Sequence, residues 1–321
     1  MNNTPCVSIG LPVYNGENFI KQAIDCILDQ TFEDFELIIS DNASTDITEQ
    51  ICREYAAKDN RIRYYRNQKN IGAAPNFNQV FELSRGKYFK WAAHDDLCAP
   101  EFLELCVEVL ENDDSIILCH SKTRLIIHDK QGKLKKEKNH TLELKTDSFN
   151  PQERFSELIL IPHWCFQFFG VIRADILKNT PLIGKYAASD RGLLAELGLL
   201  GRFYEIPKYL FSYRIHPQHS VSKWSHNPIL YTAWFDPAKK GRIVFPRWRL
   251  FSAYFTATRK TSLSWNERLY CYLHLGTWLQ QNRKAMIHDL IVAAKQVLSP
   301  VKVLLKSSLI RAKQVYGYLA N

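Results

Sequence analysis

Three adjacent residues, His94, Asp95 and Asp96, end an apolar run that starts at Tyr88 and is interrupted before them only by Lys90. A buried strand ending this way delivers two carboxylates and an imidazole to its carboxyl end, where open α/β sheets bind ligands. Two successive Asp side chains point different ways, so one can ligate a divalent cation while the other meets a hydroxyl or orders the loop. Three loops of similar character come earlier. Pro12, Tyr14, Asn15 and Glu17 follow a first apolar stretch, Asp41, Asn42, Ser44 and Asp46 a second, and Asn67, Asn70 and Gly72 a third. One polar loop says little, but four on one edge suit a ligand carrying ring nitrogens, sugar hydroxyls and phosphates. Neither G-x-x-x-x-G-K-[ST] nor G-x-G-x-x-G follows the first strand, so a P-loop or dinucleotide fingerprint does not account for them.

The elements that must hold these loops alternate. Strands are predicted at Cys6 to Leu11, Phe35 to Ser40, Ile62 to Tyr65, Tyr88 to Ala93 and Ile116 to His120. Between them Ile20, Ile24, Ile27 and Leu28 share one helical face, and Ile47, Ile51 and Tyr55 share another behind a cap at Thr45 or Asp46. Further helices are predicted near Ala74 to Ser84 and over Glu101 to Leu110. Strand and helix at this spacing mean βαβ units with right-handed crossovers and a parallel sheet. Asp129 to Lys138 reads as a charged hairpin or solvated loop.

With 321 residues, 46% of them hydrophobic, the chain can bury a large core, which excludes disordered and fibrous classes. No run of about 18 apolar residues occurs, so no transmembrane helix is expected, and Met1 to Pro5 carries no signal-peptide pattern. Eight cysteines without a C-x-x-C read as reduced core residues of a cytosolic protein. The net charge of +9 is unevenly spread: 14 Lys and Arg against 2 Asp and Glu from Lys240 onward give +12, leaving −3 for residues 1 to 239. A basic tail on a near-neutral body points to an anionic surface, and no nucleic-acid module accompanies it. Helices are predicted at Trp265 to Leu279 and over 284–298, and Ser299-Pro300 reads as the start of another. In that last helix Val301, Leu304, Leu305, Ala312 and Tyr316 gather beside Lys302, Lys306 and Lys313, a pattern suited to a membrane interface.

V-S-I-G-L-P-V-Y-N-G-E, F-E-L-I-I-S-D-N-A-S-T-D, N-I-G and then H-D-D with Pro100 four residues later stand in one order. Together they resemble the nucleotide-sugar domain of family 2 glycosyltransferases, closely over residues 5 to 125 and more loosely to about 223. The resemblance implies an α/β protein of the GT-A (Rossmann-like) fold, a mostly parallel sheet flanked by helices. Residues 1–224 would form that domain, with a nucleotide-sugar half to about 125 and an acceptor half after it, and 225–321 a basic, mainly helical C-terminal region. It implies that Pro12, Tyr14 and Glu17 line the nucleotide pocket with Asn42, Asn70, Gly72, His94 and Asp96, and that Asp41 meets the base. Asp95 matches the last Asp of the family's D-x-D element, which holds Mn2+ or Mg2+ on the diphosphate; the first Asp of that element falls on Ala93.

The second half carries the rest of the implied site. Asp190, in A-A-S-D-R-G-L-L, stands where the family keeps its catalytic base; a helix N-cap is the alternative, and one residue can be both near the cap and catalytic. Y-L-F-S-Y-R-I-H ends in Arg214, suited to phosphate, and His216, suited as a further metal ligand. The aromatic stretch Pro162 to Val171 offers faces for sugar rings or for core packing. The implied activity is inverting transfer from a nucleoside-diphosphate sugar, UDP by family habit, to a saccharide or lipid-linked acceptor in surface polysaccharide or lipopolysaccharide assembly. It would take place in the cytoplasm or peripherally at the cytoplasmic face of the inner membrane. The departure at Ala93 leaves an inactive nucleotide-sugar-binding subunit as the alternative.

Overall fold

Strands β1 (Val7–Val13) and β2 (Phe35–Asp41) are buried at every residue, as strands covered on both faces must be. They belong to a computed structural model that describes residues 4–129, 131–219 and 227–318; the side chains of Pro228 and of residues 299–318 lie outside that description. With β3 (Ile62–Arg66) and β4 (Tyr88–Trp91) they form the parallel part of a nine-stranded sheet, in the order β3-β2-β1-β4. The crossovers carry α1 (Ile20–Leu28), α2 (Thr48–Lys58) and α3 (Ala73–Glu82). In α1 the residues predicted to face inward, Ile20, Ile24 and Ile27, are buried, with Ala23 between them.

Strand β1 runs past Pro12, where the sequence reading ends it. The ladder with β4 closes at Gly10 and Trp91. Val13, whose carbonyl accepts from Asn42, faces β2, so Pro12 faces the side where the partner strand has already turned away. Its missing N–H costs no ladder bond there.

Beyond β4 the sheet is mixed. Strand β8 (Val171–Arg173) lies antiparallel to β4 and to β6 (Ile116–His128), and β6 runs parallel to β9 (Arg202–Ile215). Strand β7 (Leu134–Asn139) pairs with β6 as the charged hairpin. The two-residue β5 (Leu97–Cys98) pairs antiparallel with β9 and ties the His94–Asp96 loop to that strand's end. Helices α4 (Phe102–Asn112), α5 (Pro151–Leu160), α6 (Ala174–Lys178) and α7 (Ser189–Leu200) complete this part.

After α8 (Pro228–Phe235) and α9 (Pro246–Lys260) comes a single long helix, α10 (Trp265–Tyr318). The two helices predicted here are thus one, and Ser299 and Pro300 lie inside it instead of opening another. The expected apolar and basic faces at Val301, Leu304, Leu305, Ala312, Tyr316, Lys302, Lys306 and Lys313 fall outside the described side chains. Leu250 and Tyr254 of α9 and Cys271, Leu275, Trp278 and Met286 of α10 share a core with Phe155 and Ile159 of α5 and Ala195 and Leu199 of α7. The C-terminal helices are therefore built onto the helix that carries Asp190.

Candidate active site

Strand β5 decides which groups meet. Its register, Leu97 opposite Ser212, carries Asp96 and Asp95 back along the end of β9 towards Arg214 and His216. Asp96 accepts a hydrogen bond from the backbone N–H of Arg214 at 2.8 Å. Asp95 Oδ2 lies 2.9 Å from His216 Nε2. Both carboxylates are buried, but their surroundings drive them apart. Burial raises the pKa of Asp96 well above the usual range and the charge of Asp95 adds to it, with the Arg214 amide opposing. For Asp95 burial also disfavours the charge, yet His94, the hydrogen bond from His216 and the further charges of His219 and His216 outweigh it and hold the pKa low. Lys90, the one charged residue in the apolar run, is buried behind this loop, with Nζ donating to the Phe169 carbonyl at 2.5 Å and lying 4.7 Å over the Phe102 ring.

Arg214 and His216 leave open hydrogen-bonding capacity at this place. Arg214 Nη2 donates to Gln22 Oε1 at 2.8 Å and the guanidinium lies over the ring of Phe19. Its Nε, and Nδ1 of His216, are buried without a hydrogen-bond partner among the described residues. Buried donors are almost always paired, so the Arg214 N–H fits a ligand bearing acceptor oxygens, such as a diphosphate; with Nε2 donating to Asp95, a neutral His216 leaves Nδ1 as an acceptor. Sequence reasoning passed over Phe19 and Gln22, which orient Arg214; an aromatic residue ahead of α1 gives no signal of that role.

The donor-side loops are tied to one another. Asn15 Oδ1 accepts from the Thr45 N–H, Asn15 N–H donates to Ser44 Oγ, and Gly16 N–H donates to Thr48 Oγ1. Asp46 Oδ1 accepts from the Thr48 N–H at the start of α2. His94 lies against Gly16, where a Cβ would stand 2.8 Å from its ring. Tyr14 and Glu17 are exposed at the rim, and Pro12 is buried beneath them.

Asp41 is fully covered. Its oxygens accept from the Ser44 N–H and the Tyr64 hydroxyl, both at 2.8 Å, so in this state it orders the loop and presents no surface to a base. Asn42, Asn70 and Gly72 are joined directly: Asn42 Nδ2 donates to Asn70 Oδ1 and to the Gly72 carbonyl, while Asn70 Oδ1 also accepts from the Gly72 N–H. Gly72 sits at φ +94°, and a Cβ there would come within 2.5 Å of Pro237 and 2.7 Å of the Phe235 carbonyl. Close approach of the C-terminal segment, together with the left-handed backbone, explains the glycine.

Asp190 lies in the first turn of α7, half-buried. Its Oδ1 accepts from the N–H of Arg191 at 3.0 Å, and the nearby Cys165 thiol favours the charged carboxylate. Burial raises its pKa above the usual range, with the Arg191 charge and this hydrogen bond pulling the other way. The residues on either side of this contact, Cys165 and Ala188, hold left-handed backbone at φ 59° and 63°. Such strain in non-glycine residues persists where the surroundings enforce it, often at functional sites. Cys165 was legible only as one member of the aromatic stretch, because a thiol in left-handed backbone has no sequence signature. Tyr213 is buried and feels the charges of Asp96, Asp95 and Asp190.

For a divalent cation the donor set is partial and chemically suitable. Adjacent ligands around an octahedral ion with bonds of about 2.1 Å stand about 3 Å apart, close to the Asp95 to His216 separation. Among the described residues no group of three His, Cys, Asp or Glu forms a complete cage, so the rest of the shell would come from substrate and water, as is usual for Mg2+ on phosphates.

A sheet that is parallel in its first half, mixed in its second and ringed with carboxylates at its strand tips is the GT-A glycosyltransferase fold. The S. aureus TarS fragment 1–349 in complex with UDP aligns with TM-score 0.58 at 16% identity, over 86% of this chain and 71% of that one. The mannosyltransferase PcManGT from Pyrobaculum calidifontis, in complex with GDP-Man and Mn2+, aligns with TM-score 0.54 at 18% identity, over 97% and 81%. At these identities the likeness is one of fold. A Haemophilus influenzae protein described as an uncharacterized glycosyltransferase is 28% identical over 233 residues, 70% of each chain. The profile of Glycosyl transferase family 2 matches residues 8–178, more than half of the sequence, and the chain belongs to that family.

Proposed function

We propose that the chain moves a sugar from a nucleoside-diphosphate sugar to an acceptor hydroxyl in a single displacement that inverts the anomeric carbon. The observation that supports this reading is the corner where Asp95 meets His216 at 2.9 Å and the buried Nε of Arg214 has no hydrogen-bond partner among the described residues, together with a carboxyl at Asp190 whose pKa burial raises. Asp190 takes the acceptor proton as the hydroxyl attacks. Arg214 meets the departing diphosphate, and Gln22 and Phe19 hold its guanidinium in place. A divalent cation bound by Asp95 and His216 would supply further positive charge to the leaving phosphates. Tyr14, Glu17 and His94 stand at the nucleoside end, over a loop frame fixed by Asp41, Asn42, Asn70 and Gly72. UDP bound to TarS supports uridine as the first nucleotide to try.

Release of nucleoside diphosphate from a panel of UDP- and GDP-sugars, in Mn2+ and with mixed saccharide acceptors, tests this reading. Acceptor-dependent release is expected from one donor. Tight donor binding with no release from any would instead identify an inactive sugar-nucleotide-binding subunit, the reading that Ala93 favours.

We also infer a peripheral membrane contact, consistent with an acceptor carried on a lipid in surface polysaccharide assembly. No described helix is long and apolar enough to cross a membrane. On α10, however, Ile287, Leu290, Ile291 and Leu298 are exposed along one face, with Lys284 and Lys295 beside it, a pattern that lies in lipid interfaces. The opposite face packs inward through Met286 and through Asp289, which accepts from the Arg247 N–H at 2.8 Å, so truncation near residue 281 would damage the core. Substituting Ile287→Glu, Ile291→Glu and Leu298→Glu together leaves those contacts in place. The triple variant should lose flotation with anionic liposomes; equal flotation of both proteins would remove the membrane reading.

A further inference from the structure

A second concavity opens where β6 and β9 meet the 163–167 segment. The space inside it measures about 20 Å³, room for one water-sized group. Three of the groups around it, His120, Gln167 and Glu205, offer hydrogen-bond acceptors. Burial drives the pKa of His120 down to about 4, so it is neutral near pH 7. Its Nδ1 lies 3.3 Å from the Ser121 carbonyl; a carbonyl only accepts, so Nδ1 carries the proton and Nε2 is left with a lone pair. Gln167 is 8% exposed, and its Oε1 has no hydrogen-bond partner among the described residues. Glu205, whose pKa burial raises, places Oε2 3.7 Å from His120 Nδ1.

Two of the potential donors nearby are already used. His163 donates through Nε2 to the Leu158 carbonyl, and its Nδ1 accepts from the Cys165 N–H. Lys122 is paired with Glu143 at 2.5 Å. At the mouth stands Trp164, 53% exposed, stacked on Phe166 and edge-on to Tyr213. Tyr213 and Cys165, next in the chain to Trp164, both feel the charge of Asp190.

We propose that this concavity binds a neutral saccharide unit of the acceptor, adjacent to the unit whose hydroxyl receives the sugar. Its ring lies on Trp164, and one of its hydroxyls enters the floor and donates to Gln167 Oε1 and Glu205. This rests on the reading that the acceptor is a saccharide. The unpaired Gln167 Oε1 and the Glu205 carboxyl select an O–H donor, and a uronate or phosphate would face the like charge of Glu205 and Glu143.

Saturation-transfer NMR on the full chain, without nucleotide donor, tests the subsite with methyl β-glucopyranoside, N-acetylglucosamine and glucuronic acid as probes. At least one neutral probe should bind and glucuronic acid should not. Trp164→Ala, at an exposed position, should weaken that binding about tenfold, the scale of a stacked aromatic contact. Gln167→Leu should weaken it comparably with its melting temperature retained, and UDP binding should be unchanged in both variants. Binding of glucuronic acid as strong as that of the neutral probes, absence of any neutral binding, or indifference to both substitutions would overturn the subsite. Because the probes need no donor, a chain that binds neutral sugars here yet releases no nucleoside diphosphate loses the transfer reading alone.

Discussion

Asp190→Asn should lower the transfer rate by roughly 10²–10⁴-fold, the usual contribution of a positioned general base, and leave nucleotide-sugar affinity near that of the unaltered chain. The amide keeps the size of the side chain and can still accept from the Arg191 N–H, so the first turn of α7 loses little; what it cannot do is take a proton. Folding should not suffer. The carboxyl pKa is raised in the folded state, so its contribution to stability is full below the unfolded pKa and is lost as pH rises through the folded one. At neutral pH the native carboxylate is thus a liability, and the melting temperature of Asp190→Asn should equal or exceed that of the parent. The same shift sets the pH profile: the rate should fall on acidification through a limb lying above the ordinary carboxylate range, as Asp190 becomes protonated. Unchanged turnover in Asp190→Asn would move the base elsewhere, and a lowered melting temperature would assign Asp190 to the helix cap instead.

Much of this arrangement was readable from residue order, and the part that was not has a physical reason. Alternation of apolar runs and helical periodicity located β1 to β4 within one or two residues, because strands buried on both faces cannot hide their composition. The convergence of Asp95 with His216 depends on the two-residue β5, too short for any periodic signal, so sequence could propose both as ligands without showing that they touch. At Asp41 it is the contacts of the residue that sequence leaves out. A carboxylate at a strand tip looks available in sequence, and only coordinates reveal that Tyr64 and the Ser44 amide already hold it. Gly72 carries a similar lesson, since its partner at Pro237 lies far along the chain in the helical region that was hardest to read.

Asp95→Asn should weaken nucleoside-diphosphate binding in Mn2+ by roughly 100-fold and abolish any difference between Mn2+ and chelator, a scale set by what metal-site substitutions cost elsewhere. Asparagine is the informative choice because its carbonyl oxygen can still accept from His216, so the 2.9 Å contact survives while the charge is lost. A metal ligand needs that charge; a structural hydrogen bond does not. His216→Ala should give a smaller loss in the same direction, since the carboxylate and the diphosphate oxygens remain. Isothermal titration of UDP into each protein, with Mn2+ and then with chelator, separates the outcomes. If the unaltered chain binds UDP equally well under both conditions, the alanine at position 93 marks a site that works without a cation. The Asp95 to His216 pair would then serve to orient Arg214 and the loop, and the Arg214 guanidinium would have to neutralise the diphosphate itself.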